Sequence, residues 1–331
     1  MKRTILILHP GALGDILLAV PALRALSRRY PQQETVLVAS AAVSRLLREC
    51  GLIDHWIPWE GQVCLGLFSG PSYLPDELQR WLSRCDLVVA WMEDKEDALG
   101  SLFRSIGVAR IHIQSPFSPG LGGRHQSDRF LETLNETAGG ASEASVRVPP
   151  PLLRRGQACL DDLGVSLEQS LVLVHPGSGS IHKCIEPKRM AWLIEGLQHK
   201  GMCPVVLEGP TDRDIVEHVR HLLTQPPLIL RERDLSRLAG VLAQVRAYIG
   251  HDSGVTHLAA LLGVRTIALF GPTDPHRWAP RGRHVTVLRG DRCTCESWEA
   301  VKKCVDKPCL QVAPVEILAE LGRKVSRRKP S

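Results

Sequence analysis

The chain lacks any apolar run of the roughly 18 to 20 residues that a membrane-spanning helix needs. Lys2-Arg3 followed by apolar residues imitates a signal peptide. Asp15 and the His9-Pro10-Gly11 break interrupt that stretch, however, and no small-residue cleavage site follows. A soluble, cytoplasmic protein is expected. A broad surplus of one charge is lacking too. The formal net charge is +6, but Gly322–Ser331 carries Arg323, Lys324, Arg327, Arg328 and Lys329 and no acid, so the remainder is almost neutral. A near-neutral body excludes the wide basic face of a nucleic-acid-binding protein. The basic tail suits either peripheral contact with an anionic membrane or a solvated end. Internal repeats and low-complexity tracts are also absent.

What is present is a long, apolar-rich chain of 331 residues, 44% hydrophobic, enough for two packed domains. Short apolar runs alternate with helical patterns along its whole length. In the first half the pattern predicts strands at 4–8, 35–39, 87–91 and 110–113. Helices are predicted near 15–29, 41–49, 75–83 and 98–106, with a loop over 116–123 and further helix over 128–138. The stretch "GASEASVRVPPP", residues 140–151, reads as a linker. The alternation then resumes, with strands at 171–175, 203–207, 228–230, 247–250 and 266–270. Helices follow near 189–200, 213–223, 235–244 and 256–262. The expected fold is α/β, with two Rossmann-like, doubly wound parallel-sheet domains, residues 1–150 and 151–331, facing across a cleft.

Three loops of the second half carry chemistry. In "LVLVHPGSGSIHK", residues 171–183, a buried strand runs into a small-residue loop that ends in a lysine. Gly177 and Gly179 allow close approach of a ligand, Ser178 and Ser180 add hydroxyls, and Lys183 can meet a phosphate. The loop has neither the Gly-Lys-Ser/Thr of a P-loop nor a complete G-x-G-x-x-G. In "YIGHDSGVTHLAALLG", residues 248–263, Asp252 and Ser253 lead into a helix start at Gly254, where backbone amides and the macrodipole favour an anion. Asp252 and Ser253 are equally good caps, and His257, one turn on, suits the cleft or the core. In "ALFGPTDPHRW", residues 268–278, Gly271 and Thr273 sit in a sharp turn after a strand. Three polar loops on one sheet edge point to a diphosphate-containing ligand.

The first half contributes "LILHPGALGDILLAVPALRAL", residues 6–26, a strand, a break and a helix with Asp15 in its first turn. A carboxylate does not bind phosphate, since like charges repel. Opposite a phosphate site it is placed to take a proton from an attacking hydroxyl; otherwise it caps its helix.

Ten cysteines are many for a reducing compartment. Cys50, Cys64, Cys85, Cys159, Cys184 and Cys203 are scattered as small hydrophobes. Cys293, Cys295, Cys304 and Cys309 cluster late. That set could hold a tetrahedral zinc or an iron–sulfur cluster, though paired C-x-x-C knuckles are missing; the alternatives are free thiols or a stapled loop.

Together "GALGDILLAVPALRAL", "HPGSGS" with its following lysine, "HDSGVTHLAALLG" and "LFGPTDP" resemble glycosyltransferase family 9, the bacterial lipopolysaccharide heptosyltransferases, in the family's order. The resemblance implies a GT-B fold and inverting transfer of a heptose from a nucleotide-diphosphate sugar, ADP-heptose, to a lipopolysaccharide-core or similar glycolipid acceptor. It implies no cofactor and no metal in catalysis. Asp15 is then the general base and Lys183 the group that stabilises the diphosphate. Donor contacts are implied for Gly14, Ser178, Gly179, Ser180, Asp252, Ser253, Gly254, His257, Gly271 and Thr273. A ribose-contacting acid is implied after strand 203–207, where Glu208 and Asp212 both qualify. The family often has Lys-x-Trp-Pro after the phosphate loop; here the chain reads Lys183-Cys184-Ile185-Glu186-Pro187. Two other readings share the fold, a nucleotide-sugar epimerase or hydrolase and a non-catalytic sugar-nucleotide binding protein.

Overall fold

The computed structural model describes residues 3–118, 124–136, 145–166 and 168–323; most of the basic tail lies outside them. The chain divides into two compact units, Met1–Ala144 and Ser145–Ser331.

The first unit runs β1 (Thr4–Leu8), α1 (Leu13–Leu18), α2 (Val20–Arg29), β2 (Glu34–Ala39), α3 (Ala41–Glu49), β3 (His55–Pro58), α4 (Gln62–Ser69), α5 (Asp76–Leu82), β4 (Cys85–Ala90), α6 (Ala98–Ser105), β5 (Arg110–Ile113) and α7 (Gln126–Glu132). Its five strands are all parallel, in the order β3-β2-β1-β4-β5. β1 is buried along its whole length, as expected of a central strand covered on both faces. The helix predicted over 15–29 is two helices. Pro21 sits in the first turn of α2 and has no amide to donate back into α1, so the chain turns at Ala19. The pattern misses β3 and α4. β3 is a half-buried edge strand of four residues that ends in proline, too short and too mixed to signal itself.

The second unit runs α8 (Pro150–Asp162), β6 (Leu171–His175), α9 (Pro187–His199), β7 (Cys203–Leu207), α10 (Arg213–Leu222), β8 (Leu228–Leu230), α11 (Leu235–Leu242), β9 (Ala247–His251), α12 (Gly254–Leu261), β10 (Thr266–Phe270), α13 (Pro275–Trp278), β11 (Val285–Arg289), α14 (Trp298–Lys303) and α15 (Pro314–Gly322). Six parallel strands lie in the order β11-β10-β9-β6-β7-β8.

The prolines read as linker in fact open α8. Pro150 and Pro151 occupy its first two positions, where no amide is needed and the fixed φ favours the helix. α8 lies against α11 at glycine. A Cβ added at Gly156 would stand 2.1 Å from the carbonyl carbon of Gly240.

In each sheet the strand order reverses beside the unit's first strand, between β1 and β4 and between β6 and β9. Such switch points open a crevice at the carboxyl ends of the strands, where ligands of open α/β sheets bind. The loops after β1, β6 and β9 therefore occupy functional ground in their own sheets. Among the described residues no helix is long and apolar enough to cross a membrane.

Candidate functional site

β6 and β9 are fully buried apolar runs that each end in histidine. Pro176 closes β6, and the loop 176–186 follows. Its order comes from β9 and the residues after it. Ser178 Oγ donates to the carbonyl of Asp252 (2.7 Å), and Lys183 Nζ pairs with Asp252 Oδ2 (2.8 Å). The amide of Ile185 donates to His251 Nε2 (3.0 Å). Ile185, where the family often has tryptophan, is buried. Burial, aided by the nearby His175, drives the His251 pKa down to about 4, so the ring stays neutral and can accept that amide.

Behind the loop lies a buried polar chain that the sequence reading misses. His175 joins Asp212 Oδ2 (2.8 Å) through Nε2 and the Tyr248 hydroxyl (3.2 Å) through Nδ1; Tyr248 in turn meets Thr256 Oγ1 (3.1 Å). A tyrosine inside buried β9 and the histidine that closes β6 are the sequence signs of it. Burial raises the Asp212 carboxyl, but the His175 hydrogen bond and charge and the Gly209 amide outweigh it and hold its pKa below the ordinary range.

The two acids left open by the sequence are therefore unlike. Asp212 faces inward on His175 and the Gly209 amide (2.8 Å). Glu208, at the carboxyl end of β7, accepts Arg231 Nε–H on Oε1 (3.0 Å), while its Oε2 is buried without a hydrogen-bond partner. An acceptor held this way is what a ligand hydroxyl requires. Asp212-Arg213-Asp214 is also the chain's single Asp-x-Asp, which the expectation of a metal-free site passes over. Asp212 is buried and Asp214 exposed, and Asp212 is engaged by His175, so the pair does not form a joint metal grip.

α12 begins at this same edge. Ser253 caps it, accepting from the Thr256 amide (3.4 Å), and Gly254 opens the first turn. His257 is buried, with Nε2 4.0 Å from Asp252 Oδ1. Ser180 accepts from the His182 amide (3.3 Å) and so caps the short turn that carries Lys183. Gly179 is open on its Cβ side, whereas Gly271 leaves room for Leu310, which a Cβ would meet at 2.4 Å. Thr273 is half-buried in the turn between β10 and α13.

In the first unit, the His9-Pro10-Gly11 break follows β1. His9 is buried against Trp91 (5.6 Å between ring centres) and Phe130 (5.1 Å), and burial drives its pKa down to about 4. The Gly11 amide donates to His9 Nδ1 (3.2 Å). Gly14 and Asp15 are half-exposed in the first turn of α1, and Asp15 Oδ2 accepts from the Ala12 amide (3.2 Å). The carboxylate thus does cap its helix, at a position that keeps it accessible to solvent.

Comparison with known proteins places this arrangement. The chain is 28% identical to lipopolysaccharide heptosyltransferase 3 of Escherichia coli over 142 residues, 42% of this chain and 41% of that one. It is 27% identical to lipooligosaccharide heptosyltransferase 2 of Haemophilus ducreyi over 143 residues, 40% of this chain and 41% of that one. The match thus spans about two fifths of the length of these curated relatives. The fold extends further. A glycosyltransferase family 9 structure from Veillonella parvula superposes with a TM-score of 0.80 at 20% identity, over 97% of this chain and 96% of that one. The E. coli ADP-heptose lps heptosyltransferase II superposes at 0.74 and 19% identity, over 96% and 97%. The architecture is GT-B. The sequence profile for glycosyltransferase family 9 (heptosyltransferase) matches residues 128–309, more than half of the chain, and the chain belongs to that family.

Proposed function

We propose that this chain transfers a heptose from a nucleotide-diphosphate sugar, ADP-heptose, to a lipopolysaccharide core or similar glycolipid, with inversion and without a catalytic metal. The observation that carries the reading is the set along the carboxyl edge of the second sheet, at and beside its switch point. The Lys183 ammonium, the amide-rich start of α12 and the unpartnered Glu208 Oε2 all lie at the carboxyl ends of its strands. An ammonium and a helix start suit a diphosphate, and a buried carboxylate oxygen suits the ribose hydroxyls.

In this mechanism Asp15 takes the proton of the acceptor hydroxyl as its oxygen attacks the anomeric carbon. The bond from that carbon to the diphosphate oxygen breaks on the opposite face, and the nucleoside diphosphate leaves with the electron pair. Lys183 has three N–H donors and spends one on Asp252, so two remain for the leaving phosphates. Preorganised donors of this kind commonly supply several kcal/mol to a transition state. We place the reaction at the cytoplasmic face of a membrane, with the basic tail touching anionic lipid.

The test is purified protein incubated with ADP-heptose or a UDP-hexose and a heptose-deficient lipopolysaccharide core, the products weighed by mass spectrometry. The expected result is acceptor heavier by one heptose, from the ADP donor alone. Free heptose or an epimerised donor, with the acceptor unchanged, overturns the reading.

A further inference from the structure

The late cysteines converge. Cys293 Sγ lies 3.0 Å from Cys295 Sγ and 3.9 Å from Cys304 Sγ, and the three sulfurs all fall within 4.8 Å of one another. Cys309 lies outside that group of three; it is buried beside the start of the same segment, its carbonyl accepting from the Gly290 amide. Among the described residues no other group of His, Cys, Asp or Glu converges in this way. A spacing of 3.0 Å is far beyond a disulfide bond of about 2.05 Å. Zinc–sulfur bonds of about 2.3 Å give a tetrahedral sulfur–sulfur edge of about 3.8 Å, close to the Cys293–Cys304 separation.

We propose that Cys293, Cys295, Cys304 and Cys309 bind one divalent ion of thiolate-preferring type, zinc(II) or iron(II), which staples the strap 290–309 against the loop that carries Lys183. Four-sulfur sites select these ions, and the thiol protons leave to solvent as the metal enters.

The strap is closed on itself, packs on the turn after β10 and borders the Lys183 loop. The Gly290 amide donates to the Cys309 carbonyl (3.0 Å), which ties the end of β11 to the last cysteine. Leu310, the next residue, fills the space beside Gly271. One pocket is lined by Ile181, Glu186 and Pro187 from beside the Lys183 loop together with Val305, Lys307 and Gln311 from the strap and its end. Trp298, which starts α14 inside the strap, sets its ring 6.5 Å from that of His182 and 6.0 Å from Lys183 Nζ. Trp298 is 42% exposed, and its own burial does not explain it. It is a positioning residue for Lys183, and the metal holds it there. This last role rests on the diphosphate reading of Lys183; the metal does not.

The test begins with the full chain purified without chelator and analysed for metals. One zinc or iron per chain is expected, with the stoichiometry unchanged in Cys203→Ser and lost in Cys295→Ser and Cys304→Ser. Should those variants fail to fold, the wild-type chain answers alone. Cobalt(II) exchanged into it is expected to give the thiolate charge-transfer and visible bands of a tetrahedral four-sulfur site. A metal-free chain with four reactive late thiols, or a Cys293–Cys295 disulfide in the unreduced protein, overturns the site. Trp298→Ala is then expected to keep its metal yet weaken nucleoside diphosphate binding about two- to fivefold, the scale of an exposed cation–π contact, with Trp298→Phe restoring it. Full metal in Trp298→Ala with unchanged diphosphate affinity removes the positioning role and leaves the staple standing.

Discussion

Lys183 Nζ stands 2.8 Å from Asp252 Oδ2, a lysine at the end of one strand's loop held by an aspartate at the end of the neighbouring strand. Asp252 is almost buried, 9% exposed in its side chain, and Lys183 is 26% exposed. The pair joins two loops that the sequence marks separately, and it fixes the charge where a phosphate would arrive. Removing Lys183 alone would leave a buried carboxylate beside that phosphate, so the loss combines a missing cation with an unmasked anion. Lys183→Ala is expected to weaken nucleoside diphosphate binding by about 1.5–3 kcal/mol, the usual scale for a charged hydrogen bond. The double variant Lys183→Ala/Asp252→Asn is expected to regain part of that loss. Calorimetric titration with ADP and with adenosine checks both: equal losses for the two ligands, or no recovery in the double variant, would place the lysine elsewhere.

Asp15 serves two purposes that substitution can separate. Its carboxylate accepts the Ala12 amide, and in the proposed reaction it also takes the acceptor's proton. Asn keeps an acceptor oxygen for the amide but is no base. Asp15→Asn is therefore expected to retain its melting temperature and donor affinity while turnover falls about 10²- to 10⁴-fold. Asp15→Ala is expected to lose turnover and, in addition, about 1 kcal/mol of stability with the cap contact. An Asn variant with near-normal turnover leaves Asp15 a cap and nothing more.

Most of the sheet was legible because central parallel strands are buried on both faces and show as unbroken apolar runs; β1, β6, β7 and β10 fall where the pattern puts them. Of the four edge strands, β5 and β8 also fall where the pattern puts them, whereas β3 and β11 do not, since their residues are mixed and mostly only half-buried. α8 was hidden behind prolines that begin a helix as readily as they end one. The site loops were legible as loops, but the side-chain partners within them were not. Nothing in the spacing tells that Asp212 turns inward to His175 while Glu208 keeps an unused oxygen, because that choice depends on how the turn 208–212 closes.

The buried histidines make stability depend on pH with a definite sign. Burial holds the pKa values of His9 and His251 at about 4 in the folded chain, below the ordinary histidine value of about 6.5. Between those limits the unfolded chain binds more protons, so stability rises with pH there. It is fully present above about pH 6.5 and is lost as pH falls toward about 4, each ring contributing up to about 1.4 kcal/mol per pH unit. His251→Gln keeps an acceptor for the Ile185 amide but does not titrate. Urea unfolding at a series of pH values is expected to show a shallower slope between pH 4 and 6.5 in that variant, whatever its absolute stability. An unchanged slope means that His251 does not supply the proton linkage.

Two glycines of one loop separate folding from binding. A Cβ at Gly177 would fall 1.9 Å from Asp212 Oδ1, while at Gly179 nothing stands within 4 Å. Asp212 cannot easily give way, since it is held by His175 and by the Gly209 amide. Gly177→Ala is therefore expected to cost about 1–3 kcal/mol of stability, the range for overpacking a tight site. Gly179→Ala meets no such obstacle, and its melting temperature is expected to stay close to wild type. If the loop cradles a diphosphate, the open space at Gly179 is where the ligand approaches, and a methyl group there competes with it. Gly179→Ala is thus expected to lose affinity for a nucleoside diphosphate with the fold intact, the opposite order of effects from Gly177→Ala. Thermal melting and ADP titration on the two variants read out both quantities. A Gly179→Ala chain that binds ADP as tightly as wild type would move the diphosphate away from this loop.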